Sequence, residues 1–185
     1  LASLPGRHLK AGRWEVVKLA LLEGDGDWTL RLLAADLPDP ASLERALRIK
    51  AGIVHRDPFE KDERRLLNLG HTLGHALESA SSFALLHGEA VGLGLRAACF
   101  LSEAANHPSF PDTLLKAMAE ALRPLKSLVP SWGACLPFLS RDKKAFHGGG
   151  EIHCILPLPG TRALQQPLPI TAWADAHARL LRALD

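Results

Sequence analysis

Three histidines and a glutamate in the second quarter of the chain have the types and spacing of a metal site. His71 and His75 are four residues apart, so on a helix they share one face, and Glu78 continues that face at the next turn. His87 follows after a short stretch predicted as a loop. Because zinc prefers imidazole nitrogen and carboxylate oxygen, the three histidines, or two of them with a carboxylate, predict a divalent metal site. The zinc-protease pattern is excluded, since Thr72 stands where that pattern requires a glutamate.

The same predicted helix carries further polar residues on the face of its histidines. Successive gaps of four, three and four residues separate Arg64, Asn68, His71 and His75. Such a face suits an anionic, hydroxylated ligand, because arginine pairs with carboxylate or phosphate and a metal binds adjacent oxygens. The spacing leaves an alternative open, namely a solvated helix face on which the four-residue histidine spacing arose by chance.

Two other features bear on how these side chains are positioned. Gly70 and Gly74 fall inside the predicted helix, where each glycine costs ~1 kcal/mol relative to alanine, so a ligand or another helix is expected to pack against the backbone there. Near the N-terminus, Glu15 and Lys18 place an acid and a base three residues apart in an apolar helix. The alternative interpretation of this pair is a surface ion pair contributing only about 0.3 kcal/mol.

Hydrophobic periodicity predicts a mainly α fold, a multi-helical array with one small β-hairpin near the C-terminus. One helix should begin after the Pro38-Asp39-Pro40 break with Ser42 as its N-cap. The helix over 88–105 is apolar nearly all round, which predicts that it is buried. The other predicted elements are helices over 8–34 (interrupted near Gly24), 42–56, 60–80, 112–128 and 171–184, and a hairpin over 151–168 with its turn at Pro159-Gly160.

Composition excludes several classes of protein. With 185 residues, 47% of them hydrophobic and 23% charged, the chain is expected to form a single globular domain over 1–185. A net charge of +2 argues against a nucleic-acid partner, and the apolar runs are too short to predict a membrane helix. The cysteines Cys99, Cys135 and Cys154 form no pattern, which favours a reduced compartment and a cytoplasmic location.

The block Asn-Leu-Gly-His-Thr-x-Gly-His-Ala-x-Glu at 68–78, followed by Leu-His-Gly-Glu at 86–89, is highly specific. It resembles the motif of the 3-dehydroquinate synthases, within their C-terminal, mostly helical domain. The resemblance covers nearly the whole chain. The other matching stretches are Leu4-Pro5, Gly12–Lys18, Lys50-Ala51, Arg64–Asn68, Glu89–Val91 and Asp142–Lys144.

The resemblance implies a metal site for zinc or cobalt with three ligands, Glu15, His71 and His87. His75 matches a histidine that contacts the substrate rather than the metal. Spacing alone does not distinguish His71 from His75 as a candidate metal ligand. The implied substrate-binding and catalytic residues are Lys18, Lys50, Arg64, Asn68 and His75, with Lys143 or Lys144 on the phosphate side and Ser3 in the last segment that contacts NAD.

The resemblance also implies an activity, that of an NAD-dependent carbon–oxygen lyase. The family converts 3-deoxy-D-arabino-heptulosonate 7-phosphate to 3-dehydroquinate and phosphate, in the shikimate pathway of aromatic amino acid and chorismate biosynthesis. A small anionic sugar phosphate is therefore the expected partner, with no membrane partner and with homodimerisation at full length. The family's upstream dinucleotide-binding α/β domain has no counterpart in 1–185, so this domain alone is expected to be inactive.

Two departures from the family and three alternatives qualify this interpretation. Trp14 replaces a small residue beside the expected metal glutamate, which predicts different packing of the first helix, and the glycine run at 148–150 is unusual. The alternatives are another sugar-phosphate cyclase acting on a neutral sugar phosphate, a metal-dependent polyol dehydrogenase, and an inactive, truncated helical module. The combination of Lys50, Arg64 and Asn68 favours a carboxylated substrate.

Overall fold

A computed structural model describes residues 4–139, 146–147 and 150–185. The predicted fold, mainly α with a small hairpin near the C-terminus, is confirmed. The α-helices are α1 (Gly6–Leu22), α2 (Gly26–Ala34), α3 (Pro40–Arg56), α4 (His71–Ala80), α5 (His87–Ala104), α6 (Asp112–Leu122), α7 (Trp132–Leu139) and α8 (Ile170–Ala183). Glu63–Asn68 and Arg123–Leu128 are 3₁₀ helices, and an antiparallel sheet is formed by β1 (Phe146–His147), β2 (Glu151–Leu158) and β3 (Thr161–Pro169) in that order.

Helix α5 is the centre of the hydrophobic core. Every residue from Gly88 to Ser102 is buried, because α1, α4, α8 and β2 pack around the helix. The prediction that this segment is buried on all sides is therefore confirmed. Neither α5 nor any other helix in the described ranges combines the length and the hydropathy needed to cross a membrane.

Close helix contacts explain the glycines of α4 and α5. A Cβ atom on Gly94 would lie 1.9 Å from the carbonyl oxygen of Gly70, and one on Gly74 would lie 3.2 Å from that of Ala90. These pairings show that α4 and α5 run in opposite directions with their backbones in contact. The close approach expected at Gly70 and Gly74 is thus made by a helix. Trp14 is accommodated similarly, since its indole occupies the space that a Cβ atom on Gly92 would need.

The prediction of one continuous helix over 60–80 is wrong. The 3₁₀ helix ends at Asn68, and Gly70 adopts φ +76°, a left-handed conformation that breaks the helix before α4 begins. Arg64 and Asn68 consequently do not lie on the helix face that carries His71 and His75.

Three smaller predictions also need correction. The N-cap of α3 is Asp39, whose carboxylate accepts hydrogen bonds from the backbone N–H and the hydroxyl of Ser42 at 2.9 and 2.8 Å. The helix predicted over 112–128 changes to 3₁₀ geometry at Arg123, because Pro124 has no N–H to continue the α pattern. Helix α7 and strand β1 were not predicted, since neither segment shows a clear period.

An ion network fixes the first residue of the 3₁₀ helix that precedes α4. Glu63 accepts two hydrogen bonds from Arg56, at 2.8 and 2.7 Å, and a further one from Arg162 on β3. Arg162 also donates to Glu23, at the end of α1. The network therefore joins α1, α3 and the hairpin around the segment that leads to His71.

We expect Gly94→Ala to destabilise the chain by about 1–3 kcal/mol, because the new methyl group would force α5 away from α4. Gly12→Ala is the matched control, since nothing lies within 4 Å of a Cβ atom there and alanine favours the helix. The free energy of unfolding in urea measures both effects. An unchanged stability of Gly94→Ala would show that the two helices are not in backbone contact.

The Glu63 network predicts a loss of stability in acid. Hydrogen bonding from Arg56, reinforced by Arg162, lowers the pKa of Glu63 from 4.5 to about 2. A carboxyl whose pKa is lower in the folded state stabilises that state above pH 4.5, and this contribution disappears as the pH falls towards 2. The difference in unfolding free energy between the parent and Glu63→Gln should therefore shrink over that interval. Parallel pH profiles would contradict the network.

Candidate metal centre

Four side chains from three helices converge on one point. Glu15 comes from the middle of α1, His71 and His75 from the first two turns of α4, and His87 from the first residue of α5. Nε2 of His71 lies 3.5 Å, and Nε2 of His87 3.7 Å, from Oε1 of Glu15. The three histidines can also present ligand nitrogens within 4.8 Å of one another. The sequence-predicted cluster is therefore assembled in space.

The two carboxylate oxygens of Glu15 have different surroundings. Oε2 accepts a hydrogen bond of 2.8 Å from Nζ of Lys18, which is buried, so the interpretation of this pair as a surface ion pair is wrong. Oε1 is buried and has no hydrogen-bond partner in the described part of the chain, although it faces the two histidine nitrogens. An unpaired buried carboxylate oxygen is costly, and a cation beside it would remove that cost. The donor set thus fits a divalent metal ion.

His71 and His87 each have a hydrogen-bond partner at Nδ1, and this distinguishes them from His75. Nδ1 of His71 lies 3.0 Å from the carbonyl oxygen of Leu69, and Nδ1 of His87 lies 3.1 Å from a carboxylate oxygen of Glu78. A carbonyl or an ionised carboxylate can only accept, so each Nδ1 carries the proton and each Nε2 is left to face Glu15. His75 makes no comparable hydrogen bond within the described residues.

The charges of the site favour the protonation states of metal ligands. Burial, together with the positive charge of Lys18, lowers the pKa of His71 to about 4, so this ring is neutral at pH 7. Burial acts to raise the pKa of Glu15, but Lys18 and the two histidines outweigh it and the net direction is downward. Burial lowers the pKa of Lys18, and the charge and hydrogen bond of Glu15 only partly offset this decrease. Neutral imidazoles and an ionised carboxylate are the forms that bind metals.

The expected substrate-binding residues are only partly assembled. Lys50 is exposed on α3, and its positive charge contributes to lowering the pKa of Lys18, so the two ammonium groups lie within electrostatic reach of each other. Arg64 donates to the carbonyl oxygen of Pro58 at 2.7 Å, and Asn68 donates to the carboxylate of Glu60 at 3.0 Å. Those two side chains are therefore held by their own loop. Ser3, Lys143 and Lys144 lie outside the described residues.

Sequence analysis missed an ion pair between the exposed Arg7 and the buried Glu89 that fixes the segment before His87. Arg7 donates to both oxygens of Glu89, at 2.7 and 2.6 Å, and to the carbonyl oxygen of Ala84 at 2.7 Å. Glu89 also accepts from the backbone N–H of Leu86 at 2.9 Å, at the start of α5. A glutamate three residues after a helix boundary is the acidic half of a capping box, which is the signal that predicts such a cap. Nothing in the sequence pointed to Arg7.

A known protein family matches most of the chain. The model of the family described as "3-dehydroquinate synthase C-terminal" matches residues 12–145. The chain belongs to this family. The 3-dehydroquinate synthase of Solibacter usitatus (strain Ellin6076) is 38% identical over 193 residues, covering 96% of this chain and 54% of that protein. That of Paracoccus denitrificans (strain Pd 1222) is 40% identical over 163 residues, covering 80% and 44%. The chain spans about half the length of these 3-dehydroquinate synthases.

Solved structures confirm the 3-dehydroquinate synthase-like fold. A 2-deoxy-scyllo-inosose synthase complexed with carbaglucose-6-phosphate, NAD⁺ and Co²⁺ has a TM-score of 0.76 and 22% identity, covering 97% of this chain and 54% of that one. A 2-epi-5-epi-valiolone synthase from Streptomyces hygroscopicus subsp. jinggangensis 5008, with NAD⁺ and Zn²⁺ bound, has a TM-score of 0.76 and 23% identity, covering 100% and 54%. At these identities the likeness shows the shared fold.

We expect Glu89→Ala to destabilise the chain by about 1–3 kcal/mol, since it removes a buried carboxylate and leaves the Leu86 N–H without its acceptor. Arg7→Ala should cost less, because about half of the Arg7 side chain is already exposed (51%) and Glu89 keeps its helix cap. Urea unfolding of the two variants measures the difference. Equal losses, or a larger loss for Arg7→Ala, would contradict the assigned division of roles.

Proposed function

We propose that residues 1–185 form the metal- and substrate-binding domain of a 3-dehydroquinate synthase, which converts 3-deoxy-D-arabino-heptulosonate 7-phosphate to 3-dehydroquinate and phosphate. Family membership and the curated relatives support the reaction. The observation that carries the site assignment is the buried, unpartnered Oε1 of Glu15 facing the Nε2 atoms of His71 and His87.

In this proposal Glu15, His71 and His87 hold zinc or cobalt. The similar cyclase structures contain Co²⁺ or Zn²⁺ together with NAD⁺, which supports the same cofactors here. When bound, the metal acts as a Lewis acid that acidifies a substrate hydroxyl and so favours hydride loss to NAD⁺. We assign the NAD⁺ site to a separate α/β domain, with Ser3 in the segment nearest to it, and we expect residues 1–185 alone to be inactive.

The chain's own residues bind and orient the substrate. The cations Lys18, Lys50 and Arg64 are suited to its carboxylate end, because they offer positive charge and several N–H donors. Asn68 and His75, with Lys143 or Lys144, are assigned to the phosphate side. Holding a flexible acyclic or ring-opened molecule in one conformation is itself a large part of the rate enhancement.

Substrate binding requires a rearrangement close to the site. Arg64 and Asn68 must exchange their present acceptors, the Pro58 carbonyl and the Glu60 carboxylate, for substrate oxygens. His75 and His87 are exposed, so the substrate is expected to approach from their side. Homodimerisation, the shikimate pathway and a cytoplasmic location stay predictions from the family.

A different sugar-phosphate cyclase is the second candidate, favoured by the fold shared with the inosose and valiolone synthases. The curated relatives, at 38–40% identity, favour the carboxylated substrate instead. Phosphate release by the protein that also contains the α/β domain separates the candidates. We expect turnover of the heptulosonate phosphate with NAD⁺ and none of glucose 6-phosphate. Turnover of glucose 6-phosphate alone supports the other cyclase, and no turnover of either supports an inactive module.

The ligand assignment predicts unequal effects of the three histidines on zinc binding. The parent chain should bind one zinc ion, and Glu15→Gln, His71→Ala and His87→Ala should each weaken binding by about 100-fold or more, because each removes a ligand atom. His75→Ala is the matched control and should bind zinc almost as the parent does. Competition with a chromogenic chelator measures these affinities. A loss in His75→Ala equal to that in His87→Ala would contradict the assignment and favour a three-histidine site.

A further inference from the structure

We propose that Glu78 is the positioning residue of the metal ligand His87. This inference rests on the proposed function, since it assigns a role to a residue beside that site. Nδ1 of His87 lies 3.1 Å from Oε2 of Glu78, within hydrogen-bond distance. The acceptor is mostly buried, with 19% of its side chain exposed, whereas 46% of the His87 side chain is exposed. A mostly buried carboxylate thus holds a more exposed ring.

The chemistry of the pair specifies which nitrogen of His87 can bind a metal. An ionised carboxylate only accepts hydrogen bonds, so the proton of the neutral ring must sit on Nδ1. The lone pair is then on Nε2, the atom that lies 3.7 Å from Oε1 of Glu15. The hydrogen bond therefore selects the tautomer and the ring orientation together. Metal-bound histidines commonly donate their other N–H to a carboxylate, with this effect.

His87 needs such a partner more than His71 does. The side chain of His71 is only 13% exposed, and its Nδ1 is held by the carbonyl of Leu69, two residues away on the backbone. His87 is half exposed, and its ring has no backbone acceptor among the described residues. Without Glu78 its ring could rotate towards solvent.

The backbone between the two partners is fixed independently of their side chains. The N–H of Phe83 donates to the carbonyl of Glu78 at 3.0 Å, and the N–H of Leu85 donates to the hydroxyl of Ser81 at 3.2 Å. Glu89 then caps the start of α5. Replacing the Glu78 side chain is therefore expected to remove the bond to His87 and leave the loop in place.

Zinc affinity of the 185-residue chain tests the proposal. We expect Glu78→Ala to weaken zinc binding by about 10–100-fold, and Glu78→Gln to weaken it less, because its amide oxygen can still accept from Nδ1. Adding Glu78→Ala to His87→Ala should cause no further loss. The matched control is Glu44→Ala, which removes an exposed glutamate paired with Arg48 on α3 and should leave affinity unchanged.

A second measurement tests the hydrogen bond between Glu78 and His87 in the absence of metal. Long-range ¹H–¹⁵N NMR of the metal-free chain should show His87 protonated at Nδ1, and Glu78→Ala should shift its ring towards the other tautomer. Parental zinc affinity in Glu78→Ala, or an equal further loss in the His87→Ala background, would overturn the proposal. If His87→Ala itself binds zinc as tightly as the parent, the ligand assignment fails, and the positioning role fails with it. A loss in His87→Ala without a loss in Glu78→Ala refutes the positioning role alone.

Discussion

The site depends on one buried oxygen atom. Oε1 of Glu15 is buried and receives no hydrogen bond within the described residues. The other oxygen of the same carboxylate, Oε2, accepts a hydrogen bond from Lys18. Lys18 fixes the orientation of the group, so the free oxygen points at His71 and His87. In a site without a cation this arrangement would be unfavourable, since a carboxylate oxygen and the Nε2 lone pair of an imidazole protonated at Nδ1 offer only lone pairs to one another. The arrangement is explained by the ion that it would bind.

The glycine contacts of α5 bring these residues together. Glu15, His71 and His87 come from separate helices, and ordinary helix packing at 8–10 Å would hold their side chains farther apart. Gly88 lies so close to α1 that a Cβ atom there would be 2.1 Å from the carbonyl oxygen of Ala11, and Gly94 makes an equally close contact with the turn before α4. The close packing that forms the core therefore also sets the geometry of the site. The ion pair between Arg7, at the start of α1, and Glu89, in the first turn of α5, holds His87 in place.

Local patterns predicted the helices and the histidine cluster well, because spacing and apolar periodicity report on one helix at a time. They failed where a single backbone angle or a distant partner decides the outcome. The left-handed Gly70 separates Arg64 and Asn68 from the histidine face, and nothing in a helical pattern shows that φ value. The role of Glu15 came only from the family resemblance, since its histidine partners are more than fifty residues away. The spacing placed Glu78 on the same helix face as His71 and His75. Its partner His87 could not be inferred, because the intervening loop fixes their contact.

Anomalous X-ray diffraction at the zinc edge, from crystals of the zinc-loaded chain, tests the central claim most directly. The account predicts one anomalous peak at coordination distance, ~2.0–2.2 Å, from Oε1 of Glu15 and from Nε2 of both His71 and His87, with His75 outside that distance. A peak coordinated by His75 with Glu15 left unbound, or zinc located away from these helices altogether, would contradict it.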